Sequence, residues 1–162
     1  MSSASQDITK FAPRRTVNRE DRLVIDYALG KNEGIVDKMR RFYAAIEAGD
    51  VETVNAILSP DVVVHEAESL PYPGTFRGHA GFWELMAKVA ESWEGLQARD
   101  FRFYTNPDGV LARLTLTATS RATGETLAQE LIEAWTVIGG QLKEGRIFYF
   151  DTHAARRSAG IC

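Results

Sequence analysis

Cysteine occurs once in the 162 residues, as Cys162, so no disulfide can close within the chain. Basic residues are not in excess. Nineteen lysines and arginines stand against 22 aspartates and glutamates, and a net charge of −3 without a basic stripe argues against nucleic acid as a partner. No apolar run approaches the roughly 20 residues that cross a bilayer. The opening MSSASQDITK lacks the apolar centre of a signal peptide. No membrane partner is therefore expected, and the cytoplasm is the expected location. Only three histidines are present, His65, His79 and His153, with no close pair, so neither a metal nor another cofactor is expected. A phosphate loop, a nucleophile elbow and a CxxC motif are missing as well. These absences leave a globular protein whose sequence carries no metal-ligand, nucleotide-binding or nucleic-acid signature.

The chain has the composition of a globular domain, 44% hydrophobic and 25% charged, and is long enough to bury one core. Its most informative stretch is residues 61–83, DVVVHEAESLPYPGTFRGHAGFW. Val62, Val63 and Val64 are stiff, β-branched residues suited to a strand. Period two puts Val62, Val64, Glu66 and Glu68 on one face and Val63 and His65 on the other. A strand that begins apolar and turns ionisable suits the wall of a pocket better than a closed core. Pro71, Pro73 and Gly74 then fix a loop, and the basic turn 76–79 leads into a helix, so strand, loop and helix are expected to enclose a cavity.

Around this stretch the elements follow from periodicity. Residues 1–31 read as an N-terminal extension, with a possible short helix over 21–29. Residues 32–48 read as a first long helix capped by Asn32, with Ile35, Met39, Phe42, Tyr43 and Ile46 inward. Asp50 caps a second helix over 51–58, which Ser59 and Pro60 close, and a third runs over 80–93. Strand signals follow over 96–105, 109–120, 125–138 and 145–152, separated by turn sequences, which predicts an antiparallel meander. Residues 153–162 read as a loose tail. The order of elements predicts an α+β architecture with helices on one face of a strongly bent sheet.

Three segments carry a likeness: FYAAIEAGD (42–50), DVVVHEAESLPYPGTFRG (61–78) and AWTVIGGQLKEGRIFYFDT (134–152). Over 32–152 the chain resembles the NTF2-like superfamily, in its SnoaL-like and ketosteroid-isomerase-like branch. The resemblance implies an NTF2-like (cystatin-like) conical barrel, three main helices packed on a curved, mostly antiparallel sheet, with a buried pocket and frequent homodimers through the outer sheet face. It puts Glu66 where ketosteroid isomerases carry their base. It puts Glu133 where they carry a neutral acid that donates to the dienolate oxygen. Their helical tyrosine falls on Phe42, with Tyr43 about 100° further round the helix. That departure speaks against steroid isomerisation itself.

Apart from the likeness, a carboxylate at the end of a valine strand loses hydration and gains basicity, and a second carboxyl among apolar neighbours can stay protonated and donate. The predicted catalytic residues are Glu66, Glu133 and, if a bulge turns the strand, His65. The predicted substrate contacts are Val64, Tyr72, Trp83, Trp135, Tyr43 and His79. A glutamate on a strand is more often a solvated outer-face residue, and His65, His79 and Glu68 more often face water. The function predicted is proton abstraction next to a carbonyl, of isomerase or polyketide-cyclase type, on an apolar carbonyl-bearing small molecule, in a homodimer. The alternatives are a non-catalytic binding or accessory protein of the same fold and, ranked lower, a dehydratase or a limonene-type epoxide hydrolase. The hydrolase acid before YFD falls on Phe148, and its Arg-x-Asp pair is missing around 111–115. The outer face is expected to expose Phe101, Phe103, Leu114 and Leu116 or their opposite-parity neighbours.

Overall fold

The computed structural model describes residues 33–161. The expected extension over 1–31, its short helix over 21–29 and the Asn32 cap lie outside them. Among the described residues, four helices pack on a curved six-stranded sheet, in the order α1 (Glu33–Ala48), α2 (Val51–Ile57), β1 (Leu58–Glu66), β2 (Gly74–Arg77), α3 (Gly78–Ser92), β3 (Trp93–Asn106), β4 (Gly109–Ser120), β5 (Thr126–Ile138), β6 (Gln141–Tyr149) and α4 (Thr152–Ser158). The strand order is β2-β1-β6-β5-β4-β3. The meander β3–β6 is antiparallel as expected, and β1 joins it through a parallel pairing with β6.

The first two helices form as their stripes predict. Met39 and Phe42 are buried, Ile35, Tyr43 and Ile46 pack beside them, and the Asp50 carboxylate accepts from the Thr53 amide to cap α2. Helix α2 ends one residue before its expected close, and Leu58, Ser59 and Pro60 already belong to β1. Pro60 is exposed, where the register against β6 shifts between Leu58 and Val63, so its missing N–H breaks no ladder bond. The expected basic turn over 76–79 divides instead: Phe76 and Arg77 belong to β2, which pairs with β1 from Val63–Arg77 to Glu66–Gly74, and Gly78 opens α3. The loop between β1 and β2 turns inward. Leu70 and Tyr72 are almost fully buried, so it plugs one wall rather than rimming a mouth.

The β5–β6 hairpin turns on Gly139 and Gly140, at φ 58 and 78, the positive angles a two-residue turn requires. Residues 153–162, expected as a loose tail, contain a helix. Asp151 caps α4 by accepting from the Ala154 amide, and Ala155 is fully buried.

Period two divides the sheet into two faces. On β5, Leu131, Glu133 and Trp135 point towards the helices; so do Val110, Ala112, Leu114 and Leu116 on β4 and Gly145, Ile147 and Tyr149 on β6. Leu114 and Leu116 are thus core residues, and Phe101 and Phe103 pack against Tyr43. The apolar groups on the outer face are the opposite-parity set, Tyr104, Leu111, Ile132 and Phe148, with Phe150 just beyond β6. They lie in cross-strand rows, Tyr104 beside Leu111 and Ile132 between Arg113 and Phe148.

Candidate active site

Between the helices and the inner sheet face lies a cavity of about 100 Å³. Its walls are mostly apolar: Phe42 and Ile46 from α1, Val64 from β1, Phe82, Leu85 and Met86 from α3, and Leu131 and Ile147 from the sheet. Two carboxyl groups, Glu66 and Glu133, and three hydroxyls, those of Tyr43, Tyr72 and Tyr149, face the same space. A cavity with apolar walls and a few convergent polar groups is the usual form of a small-molecule site.

Each carboxyl is delivered by strand parity. Glu133 stands on the inner face of β5 between Ala112 of β4 and Ile147 of β6. Ala112, fully buried, takes little room beside it. Tyr43 donates its hydroxyl to Glu133 Oε2 at 2.7 Å, and the Trp135 indole Nε1–H donates to the same oxygen at 3.0 Å. Glu66 ends β1, two residues past buried Val64. As a residue it is half-buried, yet its Oε2 is out of solvent and has no hydrogen-bond partner among the described residues.

These surroundings separate two otherwise similar acids. Burial, reinforced by the charge of Glu133, pushes the Glu66 carboxyl up to about 9. Burial pushes Glu133 up as well, but there the Trp135 and Tyr43 donors work against it. Donors stabilise the ionised form, so of the pair Glu133 gives up its proton first and Glu66 keeps it at neutral pH. The resemblance assigns the opposite, with Glu66 ionised and Glu133 protonated. Here hydrogen bonding favours the exchange.

Tyr43, one step round the helix from the family's tyrosine position, reaches Glu133 all the same, while Phe42 packs edge-on against Trp135 with centroids 5.7 Å apart. Room for Trp135 comes from Gly145 across the strand. A Cβ there would lie 2.6–2.9 Å from three atoms of the indole ring. Gly145→Ala is therefore expected to displace the indole from Glu133 and to cost about 1–3 kcal/mol, as overpacking of a filled core does. Chemical denaturation with tryptophan fluorescence checks both effects, and an unchanged midpoint and emission spectrum would count against the packing.

Val64, Tyr72, Trp135 and Tyr43 line the cavity with the two glutamates, as the sequence suggests. Three expected site residues are not brought there. His65 lies on the other face of β1, where Nδ1 meets Thr75 Oγ1 at 3.1 Å and Nε2 meets Glu144 Oε1 at 2.9 Å. The strand there keeps its alternation and no bulge turns it inward. His79 turns to the Leu58 carbonyl, 3.3 Å from its Nε2. Trp83 donates to Asn55 Oδ1 at 2.9 Å and ties α3 to α2, because the helical step that puts Phe82 in the cavity wall carries Trp83 round to a neighbouring face. Glu68 lies beyond the end of β1 and is exposed. Tyr149 escaped notice in the sequence, although its parity with Gly145 and Ile147 would have placed it inward. Its hydroxyl lies 3.1 Å from that of Tyr72, which accepts from the Trp93 Nε1–H at 3.2 Å.

The profile of the SnoaL-like domain family matches residues 39–145. Among solved structures, an NTF2-like protein of Burkholderia xenovorans is 26% identical with a TM-score of 0.72, over 78% of this chain and 96% of its own. TerC, solved after co-crystallisation with polyporic acid, is 24% identical with a TM-score of 0.72, over 79% of this chain and 99% of its own. A Xanthomonas campestris protein described as a candidate polyketide cyclase is 19% identical with a TM-score of 0.67, over 79% of this chain and 98% of its own. No curated protein matches the chain.

Proposed function

The chain belongs to the SnoaL-like domain family, and from that premise we propose that it is a cofactor-free acid–base enzyme acting at a carbon next to a carbonyl, of isomerase or polyketide-cyclase type. The observation that carries this reading is the inequality of two carboxyl groups facing one apolar cavity: Glu133 Oε2 receives two donors, and Glu66 Oε2 has none among the described residues. Two acids whose surroundings separate their proton affinities are a matched base and acid. Glu133, ionised, takes the proton from carbon. The C–H electron pair becomes a C=C bond, and the carbonyl π pair moves onto oxygen. Glu66, protonated, donates to that oxygen, and Glu133 returns the proton to the same carbon or to a conjugated one. Desolvation inside the cavity strengthens each of these interactions.

The ligand this reading calls for is neutral and carbonyl-bearing. At about 100 Å³ the cavity is smaller than the roughly 150 Å³ that takes benzene, so it receives the reacting part of a ring and the remainder projects through the mouth. The test is α-proton exchange: cyclohexanone and 2-cyclohexenone are incubated with the protein in deuterated water and followed by proton NMR. Exchange well above the buffer rate is expected. Binding of these ketones without exchange would instead make the protein a binding module of the same fold.

The outer sheet face supports a homodimer. Leu111, Ile132 and Phe148 stay more than 40% exposed, and Phe150 is 86% exposed. Sedimentation is expected to give a dimer at micromolar concentration, and Phe148→Glu to give a monomer. A native monomer would end this part of the proposal.

A further inference from the structure

Edge strand β3 breaks register with β4 twice, and the first break borders the cavity. Glu94 pairs with Thr119 and Gln97 with Thr117, so Gly95 and Leu96 together stand opposite the single residue Ala118. Gly95 sits at φ 61, the left-handed backbone that such a bulge takes and that glycine adopts without a steric penalty. Ala118 is buried on the inner face, and Leu96, brought to that side by the extra residue, lines the cavity. It is nevertheless 43% exposed, whereas Phe42, Val64 and Leu85 in the deeper walls are buried. The mouth therefore opens beside Leu96. Ile46 near the end of α1 and Met86 and Val89 in the last two turns of α3 line the same space, half-buried and packed on the core. These four side chains make a hydrocarbon rim around the entrance, and none of them can pair with a charge.

We propose that this rim is a separate binding subsite for an apolar chain or ring that the substrate carries on the side away from its carbonyl, and that Leu96 is the residue that selects it. The proposal names the substrate class of the site, and it rests on the acid–base reading only for which end of the ligand enters first. The enclosed space, about 100 Å³, is smaller than one six-membered ring needs. With the carbonyl end held between Glu66 and Glu133, the rest of the molecule passes the rim. A charged group there would give up water against four hydrocarbon side chains and is disfavoured. An alkyl group covers Leu96 instead, and each methylene it removes from water tightens binding by about fourfold. The bulge is what makes the subsite. In a regular strand Gly95 would stand opposite Ala118 and Leu96 opposite Thr117, so period two would carry the Leu96 side chain to the outer face.

The probes are 4-methyl-, 4-ethyl- and 4-propylcyclohexanone, with Kd measured by ligand-detected NMR. In the unmodified protein affinity is expected to rise by about fourfold with each added methylene. In Leu96→Ala the gain from methyl to propyl is expected to shrink to about fourfold or less; because the comparison is made within one protein, a general change in affinity does not enter it. Val51→Ala, an exposed apolar residue on α2, serves as the control and keeps the full gain. A cyclohexanone whose tail is equally long but ends in a carboxylate is expected to bind more weakly than the propyl ketone. With leucine methyl groups labelled, the Leu96 signals are expected to move further with propyl than with methyl, which decides the matter in the unmodified protein even if the variant does not fold. A flat series, an equal gain in Leu96→Ala, unmoved Leu96 signals, or a carboxylate tail that binds as tightly as propyl would each overturn the proposal. A rising series without α-proton exchange would remove the acid–base reading and leave the rim standing; exchange with a flat series would do the reverse.

Discussion

Glu133→Gln is expected to slow α-proton exchange into cyclohexanone by about 10²–10⁴-fold, the usual contribution of a positioned general base. The amide keeps the shape of the side chain and its place between Ala112 and Ile147. It also keeps an oxygen that can accept from Tyr43 and Trp135, so the fold and the cavity survive while the proton acceptor is lost. Glu66→Gln is expected to lose less, because an amide N–H can stand in for the protonated carboxyl as a donor. The order of the two variants separates the proposed roles from those that the resemblance assigns. If Glu66→Gln abolishes exchange and Glu133→Gln leaves a residual rate, the base is Glu66 and the donors on Glu133 serve the oxyanion. If both variants exchange at the wild-type rate, neither carboxyl moves the proton.

The second large effect is on stability against pH. In the unfolded chain Glu66 titrates near 4.5; in the folded protein its carboxyl is held up to about 9, first by burial and then by the charge of Glu133. Between those limits the folded state binds the proton that the unfolded state has released. The stabilising contribution is therefore fully present in acid, below the unfolded value. It falls steadily as pH rises towards 9 and is gone above it. A displacement of this size corresponds to at most roughly 6 kcal/mol, at about 1.4 kcal/mol per unit. If relaxation of the site leaves even about 2 kcal/mol, Tm moves by roughly 4–8 °C in a domain of this length. Glu66→Gln removes the titration. Its Tm is expected to match the wild type near pH 5 and to exceed it increasingly up to pH 9. Glu133 is displaced in the same direction and remains in both proteins, so it contributes to both curves alike. Two Tm curves that run parallel from pH 5 to 9 would show that Glu66 ionises in the folded protein as it does in water.

Much of the fold is legible along the chain because its signals are local. The helical stripe of Met39, Phe42 and Ile46, the capping Asp50 and the Gly139-Gly140 turn each act over a few residues, and each element forms where they put it. Parity along β5 likewise carries Glu133 to the same face as buried Leu131 and Trp135, and parity along β1 carries Glu66 to the face of Val62 and Val64. The family follows from the order of elements together with the motif stretches within 39–145. The terminal helix was less visible, since seven residues with Arg156 and Arg157 in the last turn show no long apolar stripe and settle only when Ala155 finds the core.

What the chain could not disclose depends on partners distant in sequence. Whether a histidine or a glutamate serves the cavity turns on one step of strand parity, and a bulge would have reversed it; pairing with β2 and β6 keeps β1 regular there and leaves His65 outside. The reach of Tyr43 to Glu133 spans 90 residues and depends on where α1 crosses the sheet. The meeting of Tyr72, Tyr149 and Trp93 likewise joins a loop to two strands. Proton affinity is decided last of all. Glu66 and Glu133 are the same residue type on similar apolar strands, and the number of donors each meets in the folded cavity is what makes them unequal. Periodicity orients a side chain towards a face, whereas only the packed tertiary structure brings it the hydrogen bonds and the loss of water that set its charge.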